Sequence, residues 1–319
     1  MNENSKLAII GAGSVGSSLA YAALIRGSAR EIVLYDMDRA KAEAEVLDLA
    51  HGTPFTGAGR ITGGGDIEAV AGARVVVITA GAKQQPGQTR LDLAGTNVGI
   101  LASLLPRLVE LAPQAVFILV TNPCDVLTVA AQGIVDLPPG RILSSGTLLD
   151  SARLRWLIAE RAEVSAASVH AAIIGEHGDS EFPLWSQAKI GSTPLLEWTN
   201  SAGEQVFDAA ERARLHEEVV GSAYKVIAGK GATNYAIGLS GARIVEAILR
   251  DEKAVLTVST VLHNYHGVDG VALSVPAIVG KHGVERILYV PMDEPESVHF
   301  RASADALHAS IATLGIVTG

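Results

Sequence analysis

Short apolar runs alternate with longer stretches of helical periodicity through the first half of the chain. KLAII at 6–10, EIVLYD at 31–36, RVVVITAGA at 74–82 and AVFILVTNP at 115–123 each read as a strand. Their apolar residues are continuous rather than alternating, the pattern of a sheet covered on both faces. Between them, SSLAYAALIRG at 17–27 carries apolar residues at helical spacing and stops at Gly27, and LDLAGTNVGILASLLPRLVELAP at 91–113 reads as a second helix. The repeated strand–helix–strand order predicts an α/β fold whose N-terminal part is a doubly wound parallel sheet. GGG at 63–65 reads as loop.

From about residue 147 the pattern changes. SVHAAIIG at 168–175 predicts a single stiff strand, and two helical stretches follow at about 204–228 and 232–250. AVLTVSTVLHNYHGV and GVALSVPAIVG alternate like antiparallel strands, and RASADALHASIATLG reads as a final amphipathic helix. The expected division is therefore a dinucleotide-binding domain over 1–146 and an α+β substrate domain over 147–319, with a site between them. The length agrees, since 319 residues exceed what one hydrophobic core usually serves.

The first strand runs into GAGSVG, with glycines at 11, 13 and 16, and the next strand ends at Asp36, 20 residues after the last of them. A lone glycine motif is a weak signal, but this one follows a strand, opens a helix and carries its acidic residue at the right distance. Gly11 suits a tight turn, Gly13 a close backbone approach to a pyrophosphate, and Gly16 close packing of helix on strand. Unpaired N–H groups at the helix start attract phosphate. Asp36 suits ribose hydroxyls and repels a 2′-phosphate, so NAD is expected over NADP.

Composition narrows the function classes. A net charge of −9 argues against nucleic acid, which needs a basic face. No apolar run reaches the ~18 residues of a membrane span, and MNENSK lacks the order of a signal peptide. A single cysteine, Cys124, excludes an internal disulfide and suits a cytoplasmic location. Cys124 is expected to be buried and inert.

Four separated pieces carry the candidate chemistry: GAKQQPGQTRLDL at 81–93, VTNPCD at 120–125, LLDSARLRW at 148–156 and GEHGD at 175–179. The first reads as a loop able to move over the end of the sheet. In the third, Asp150 and Arg153 lie three apart on one helix face. In the fourth, His177 stands between small Gly175 and Gly178, read as leaving room for substrate and cofactor. Taken singly, these residues read blandly: a structural histidine, a solvated loop charge at Arg90, a helix-face ion pair. Together they suit reduction of a ketone. A histidine, with an ordinary pKa of ~6.5, can deliver a proton near neutrality. A buried carboxylate favours its charged form, and guanidinium groups stabilise a developing oxyanion and grip a carboxylate in a planar fork.

In the motifs GAGSVG, QQPGQTR, VTNP, LDSAR, GEHGD and KGATNYAIG, in that order and at compatible spacings, the chain resembles the lactate and malate dehydrogenase family over essentially its whole length. The likeness is greatest to the family's bacterial L-lactate dehydrogenase branch. It implies a Rossmann cofactor domain and reversible hydride transfer between NADH and pyruvate, giving (S)-lactate. It also implies residue roles. His177 is the proton donor and acceptor, Asp150 its partner, Arg90 the loop arginine that polarises the carbonyl, and Arg153 the carboxylate anchor. Asn122 and Thr233 line the site. Gly11, Gly13, Val15, Gly16 and Asp36 hold the cofactor with Asn122, and Ile237 packs near the nicotinamide. No metal is implied, and a homotetramer is.

Which 2-hydroxy acid is used turns on Gln84, six residues before Arg90. The family's malate enzymes have an arginine there, to pair with a second carboxylate. Without that cation oxaloacetate brings an unpaired charge into a closed site, at a cost on the order of 3 kcal/mol or more. Lys83 beside it could swing inward, so malate dehydrogenase stays open as the alternative. A remote alternative is an NAD- and metal-dependent glycosidase, which needs a cysteine and a histidine on one ion; another is a non-catalytic NAD-binding protein. Resemblance also marks Arg155 and His170 as matches to the fructose 1,6-bisphosphate site of allosteric bacterial lactate dehydrogenases.

Overall fold

The computed structural model describes residues 5–57, 59–82 and 90–316, with the side chains of residues 90 and 91 left out. Eight α-helices and fourteen strands lie among them. The first half runs β1 (Lys6–Ile10), α1 (Ser14–Arg26), β2 (Glu31–Tyr35), α2 (Arg39–His51), β3 (Arg60–Gly64), β4 (Val75–Ile78), α3 (Arg90–Leu111), β5 (Val116–Leu119), α4 (Cys124–Ile134) and β6 (Ile142–Ser144). The second half runs α5 (Leu148–Ala162), β7 (Val169–His170), β8 (Ile173–Ile174), β9 (Phe182–Pro183), β10 (Lys189–Ile190), β11 (Thr193–Pro194), α6 (Ala209–Lys230), α7 (Tyr235–Leu249), β12 (Ala254–Val261), β13 (Ala272–Gly280), β14 (Gly283–Ile287) and α8 (Glu294–Leu314).

Nine strands form one sheet in the order β14-β13-β12-β6-β5-β4-β1-β2-β3. The six from β3 to β6 are parallel, as the continuous apolar runs predict. Every residue of β4 and β5 is buried. One core lies on each face of this parallel part, one under α1 and α7, the other under α3 and α4. β12 joins β6 antiparallel through the single pair Ser259 and Ser144, so β12 to β14 extend the same sheet, while β7 to β11 form two small separate sheets.

Two details depart from the sequence reading. Gly63 and Gly64 belong to β3 rather than to a loop. At Gly63 a Cβ would stand 1.9 Å from the Leu34 carbonyl oxygen, so glycine is what lets this edge strand approach β2. The expected stiff strand at 168–175 is broken into β7 and β8, which pair with different partners, β10 and β9. The break falls at Ala171 and Ala172, where the chain crosses from one small sheet to another. Among the described residues no helix is long and apolar enough to cross a membrane.

Candidate active site

The glycine turn after β1 shows what it can accommodate. Gly11 has φ +111° and sits against Thr79 and Ala80. A Cβ on Gly16 would lie 1.8 Å from the Gly11 carbonyl oxygen, so only glycine lets α1 rest on the turn. Nothing stands within 4 Å of a Cβ on Gly13, which caps α1 without a side-chain hydrogen bond and leaves open space over the helix start. Val15 lies in the first turn of α1. Asp36, just past β2, accepts from the Ala12 N–H at 2.7 Å and from the Asp38 N–H at 3.0 Å. A carboxylate is thereby held beside an open helix N-terminus. That arrangement fits a dinucleotide whose pyrophosphate meets the N–H groups and whose ribose meets the carboxylate.

The ends of β4 and β5 are joined by a residue the sequence reading missed. Asn97 of α3 is buried; its Oδ1 accepts from the Ala82 N–H at 2.8 Å and its Nδ2 donates to the Asn122 carbonyl at 2.8 Å. An amide among the apolar positions of the helical stretch at 91–113 was the available signal. Asn122 itself lines a cavity of about 490 Å³ with Asp150, Arg153, Glu176, His177 and Glu181.

In that cavity the LDSAR and GEHGD pieces meet. Asp150 lies in the first turn of α5 with its side chain only 2% exposed. Its Oδ1 accepts from Arg153 Nη1 at 2.6 Å, and its Oδ2 lies 2.8 Å from His177 Nδ1. The carboxylate thus holds both the ring and the guanidinium. α5 is fixed to β8 by the Ile173 N–H, which donates to Ser151 Oγ at 2.9 Å. The His177 loop is pinned from three sides. Its own N–H donates to Asp125 Oδ2 at 2.6 Å, the Glu176 N–H to Ser303 Oγ of α8 at 2.7 Å, and Gly175 exchanges two backbone bonds with Ser274 of β13. A Cβ on Gly175 would stand 2.9 Å from Ser303 Oγ, so this glycine makes room for α8 rather than for substrate. Asp125, the last residue of VTNPCD, is a second residue missed from sequence.

The electrostatics follow from burial and these contacts. Burial works against charge on the His177 ring, yet the Asp150 carboxylate outweighs it and, with Glu181, holds the ring well above the usual imidazole range. Asp150 is itself held below its ordinary value although burial opposes this, because His177 and Arg153 both face it. Asp125 is pushed up to about 6 by burial. Burial and the Asp125 charge push the Cys124 thiol up to about 12, an inert setting. Among the described residues, the donors that converge with His177 as a group are two carboxylates, Asp150 and Glu181.

The remaining expected residues fall into three groups. Lys83 and Gln84 lie outside the described residues; Arg90 opens α3, and its side chain is not described. Thr233 and Ile237 are not in the lining of the His177 cavity. They flank the start of α7, which packs on α1, where Asn234 Nδ2 donates to Ser18 Oγ at 2.8 Å. Arg155 and His170 share a separate hollow of about 730 Å³, lined also by Gln187 and Arg243.

Comparison with known proteins gives a consistent set of relatives. Residues 5–144 match the lactate/malate dehydrogenase NAD binding domain, and 147–315 match the lactate/malate dehydrogenase alpha/beta C-terminal domain. The chain is 48% identical over 310 residues to the L-lactate dehydrogenase of Bifidobacterium animalis subsp. lactis, covering 97% of each. It is 44% identical to that of Thermus aquaticus, covering 97% of this chain and 99% of the relative. Among solved structures, the minor L-lactate dehydrogenase of Enterococcus mundtii in ligand-bound form superposes with a TM-score of 0.93 at 37% identity, covering 97% of this chain and 98% of that one. A lactate dehydrogenase from a Medee basin deep-sea metagenome library gives 0.94 at 35% identity, covering 98% and 99%.

Proposed function

The chain belongs to the lactate/malate dehydrogenase family, and on that premise we propose that it is an NAD-dependent L-lactate dehydrogenase, interconverting pyruvate and (S)-lactate in the cytoplasm. The observation that carries the reading is the shared carboxylate of Asp150, which sets the His177 ring and the Arg153 guanidinium side by side in one cavity.

Gly11, Gly13, Val15, Gly16, Asp36 and Asn122 are the residues assigned to NAD, with Ile237 near the nicotinamide. When bound, NADH supplies the hydride that reaches the keto carbon. The protein supplies the rest. Asp150 takes the Nδ1 side of His177 and so directs the proton at Nε2 toward the substrate oxygen. Arg153 keeps its Nε–Nη2 edge for the substrate carboxylate, since Nη1 is spent on Asp150. Arg90 is assigned to the carbonyl oxygen, where a cation counts for more once water is excluded. Thr233 is assigned to the pocket wall.

The test is NADH oxidation with pyruvate, oxaloacetate and no acceptor, repeated with NADPH. Pyruvate with NADH is expected to be fastest; faster turnover of oxaloacetate moves the assignment to malate. Gln84→Arg is expected to reverse the preference, and an unchanged ratio of the two rates removes Gln84 as the discriminator.

Two further readings go with the family. Exposed apolar side chains such as Tyr21, Ile25, Phe55 and Tyr235 favour assembly with further copies, and a homotetramer is the proposed state, checked by light scattering. Arg155 and His170 share one hollow, which supports binding of fructose 1,6-bisphosphate there as an effector. Half-saturation by pyruvate is expected to fall when the bisphosphate is added; no shift at any pH removes this regulation.

A further inference from the structure

Glu181 is a buried carboxyl that the proton-transfer scheme above does not use. It is 4% exposed and lines the catalytic cavity. Its backbone is held on both sides, the N–H donating to the Gly178 carbonyl at 3.4 Å and the carbonyl facing His216 Nε2 of α6 at 2.8 Å. Its Oε2 lies 3.7 Å from His177 Nδ1, the ring nitrogen that Asp150 already holds at 2.8 Å. The ring nitrogen and the two carboxylate oxygens all lie within 4.8 Å of one another. At 3.7 Å a contact is too long for a hydrogen bond, so Glu181 acts on the ring through charge while Asp150 orients it.

We propose that Glu181 is a second positioning carboxyl for His177, extending toward alkaline pH the range over which the ring keeps the proton it gives to the substrate. The proposal rests on the reading of His177 as the proton donor.

The other groups around the pair define what its charge must contend with. From α5 come Asp150 and Arg153, and from α4 come Asp125, on the His177 N–H, and the thiol of Cys124. From α6 come His216 and Tyr224, the latter donating to Asp179 Oδ1 at 3.3 Å. Glu176 and Asp179 belong to the loop itself, and from α8 the His299 ring stacks obliquely on Phe182, next to Glu181 in the chain. Burial, aided by the Asp150 charge and opposed by His177 and Arg153, pushes Glu181 up to about 7. Below that pH Glu181 is neutral and Asp150 alone supports the imidazolium. Above it Glu181 becomes an anion, which raises the free energy of losing the ring proton at the pH where loss would begin.

The experiment compares the wild-type enzyme with Glu181→Gln, which keeps the shape and removes the charge. The pH profile of kcat/KM for pyruvate is measured together with the His177 ring-carbon NMR shift from pH 5 to 10. The alkaline limb and the ring titration are both expected to move down by about 1 unit. In the wild type, the ring shift is expected to show two steps, one belonging to the neighbouring carboxyl. That measurement stands even if the variant fails to fold. Superimposable profiles, or a single-step titration in the wild type, overturn the role of Glu181. His177→Asn retaining full pyruvate turnover overturns instead the reading on which it rests.

Discussion

At the scale of single residues, the site is governed by one carboxylate serving two cations. Asp150 is buried, so removing its charge leaves only the weaker support of Glu181 to oppose desolvation of the ring. Asp150→Asn is expected to lower kcat/KM for pyruvate at pH 7 by roughly 10²–10⁴-fold. The pH profile gives the sign. Reduction needs the imidazolium, so wild-type activity persists at neutral pH and falls only as pH rises through the raised value of His177. Without Asp150, burial wins and the fall moves to lower pH; an alkaline limb that stays in place contradicts this. Oxidation of lactate needs the neutral ring and follows the opposite trend. His177, Asp150 and Arg153 were legible in the sequence because motif spacing marks them. Asn97, Asp125 and Glu181 were not, because each acquires its meaning only from a partner on another element.

Elements place these residues through a few close contacts. α1 begins where the chain packs too tightly for any side chain at Gly16. Gly16→Ala is expected to lose about 2–4 kcal/mol of stability and to weaken NADH binding, read by thermal unfolding and by NADH fluorescence. Unaltered binding and melting would show that the turn can give way. At the other end of the chain α8 starts at a capping box between Asp293 and Glu296, and its Ser303 takes the Glu176 N–H. Helices 1, 3, 6, 7 and 8 were readable from periodicity. The strand before His177 was not: the eight residues 168–175, all but His170 small or apolar, read as one strand, but its hydrogen bonds are divided between two sheets.

At the scale of the whole molecule, the two halves are joined by the sheet and by a polar clamp between α1 and α7. Glu246 accepts from Arg26 through Nε at 2.7 Å and Nη2 at 2.6 Å, and from Ser28 Oγ at 2.8 Å. Burial would raise this carboxyl, but Arg26 and Ser28 hold it below its usual value. A lowered carboxylate stabilises the fold above its unfolded pKa, and that contribution is lost as pH falls through the folded value. Arg26 is partly exposed, so Glu246→Gln is expected to cost only about 1–2 kcal/mol at pH 7. The difference from wild type should shrink in acid, as measured by urea unfolding at pH 7 and pH 4. A gap that is constant with pH would assign the effect to packing instead.

Local pattern alone determined the parallel sheet and the glycine turn with its acidic residue, because each is written within a few turns of chain, and the order of separated motifs supplied the residue types suited to a keto acid. Only the tertiary structure decided that β12 to β14 extend the same sheet, that Gly175 makes room for α8, and that a second carboxyl stands by the His177 ring. Those are matters of distance between residues remote in sequence. Hydrophobic periodicity carries which face is buried, but not what it is buried against.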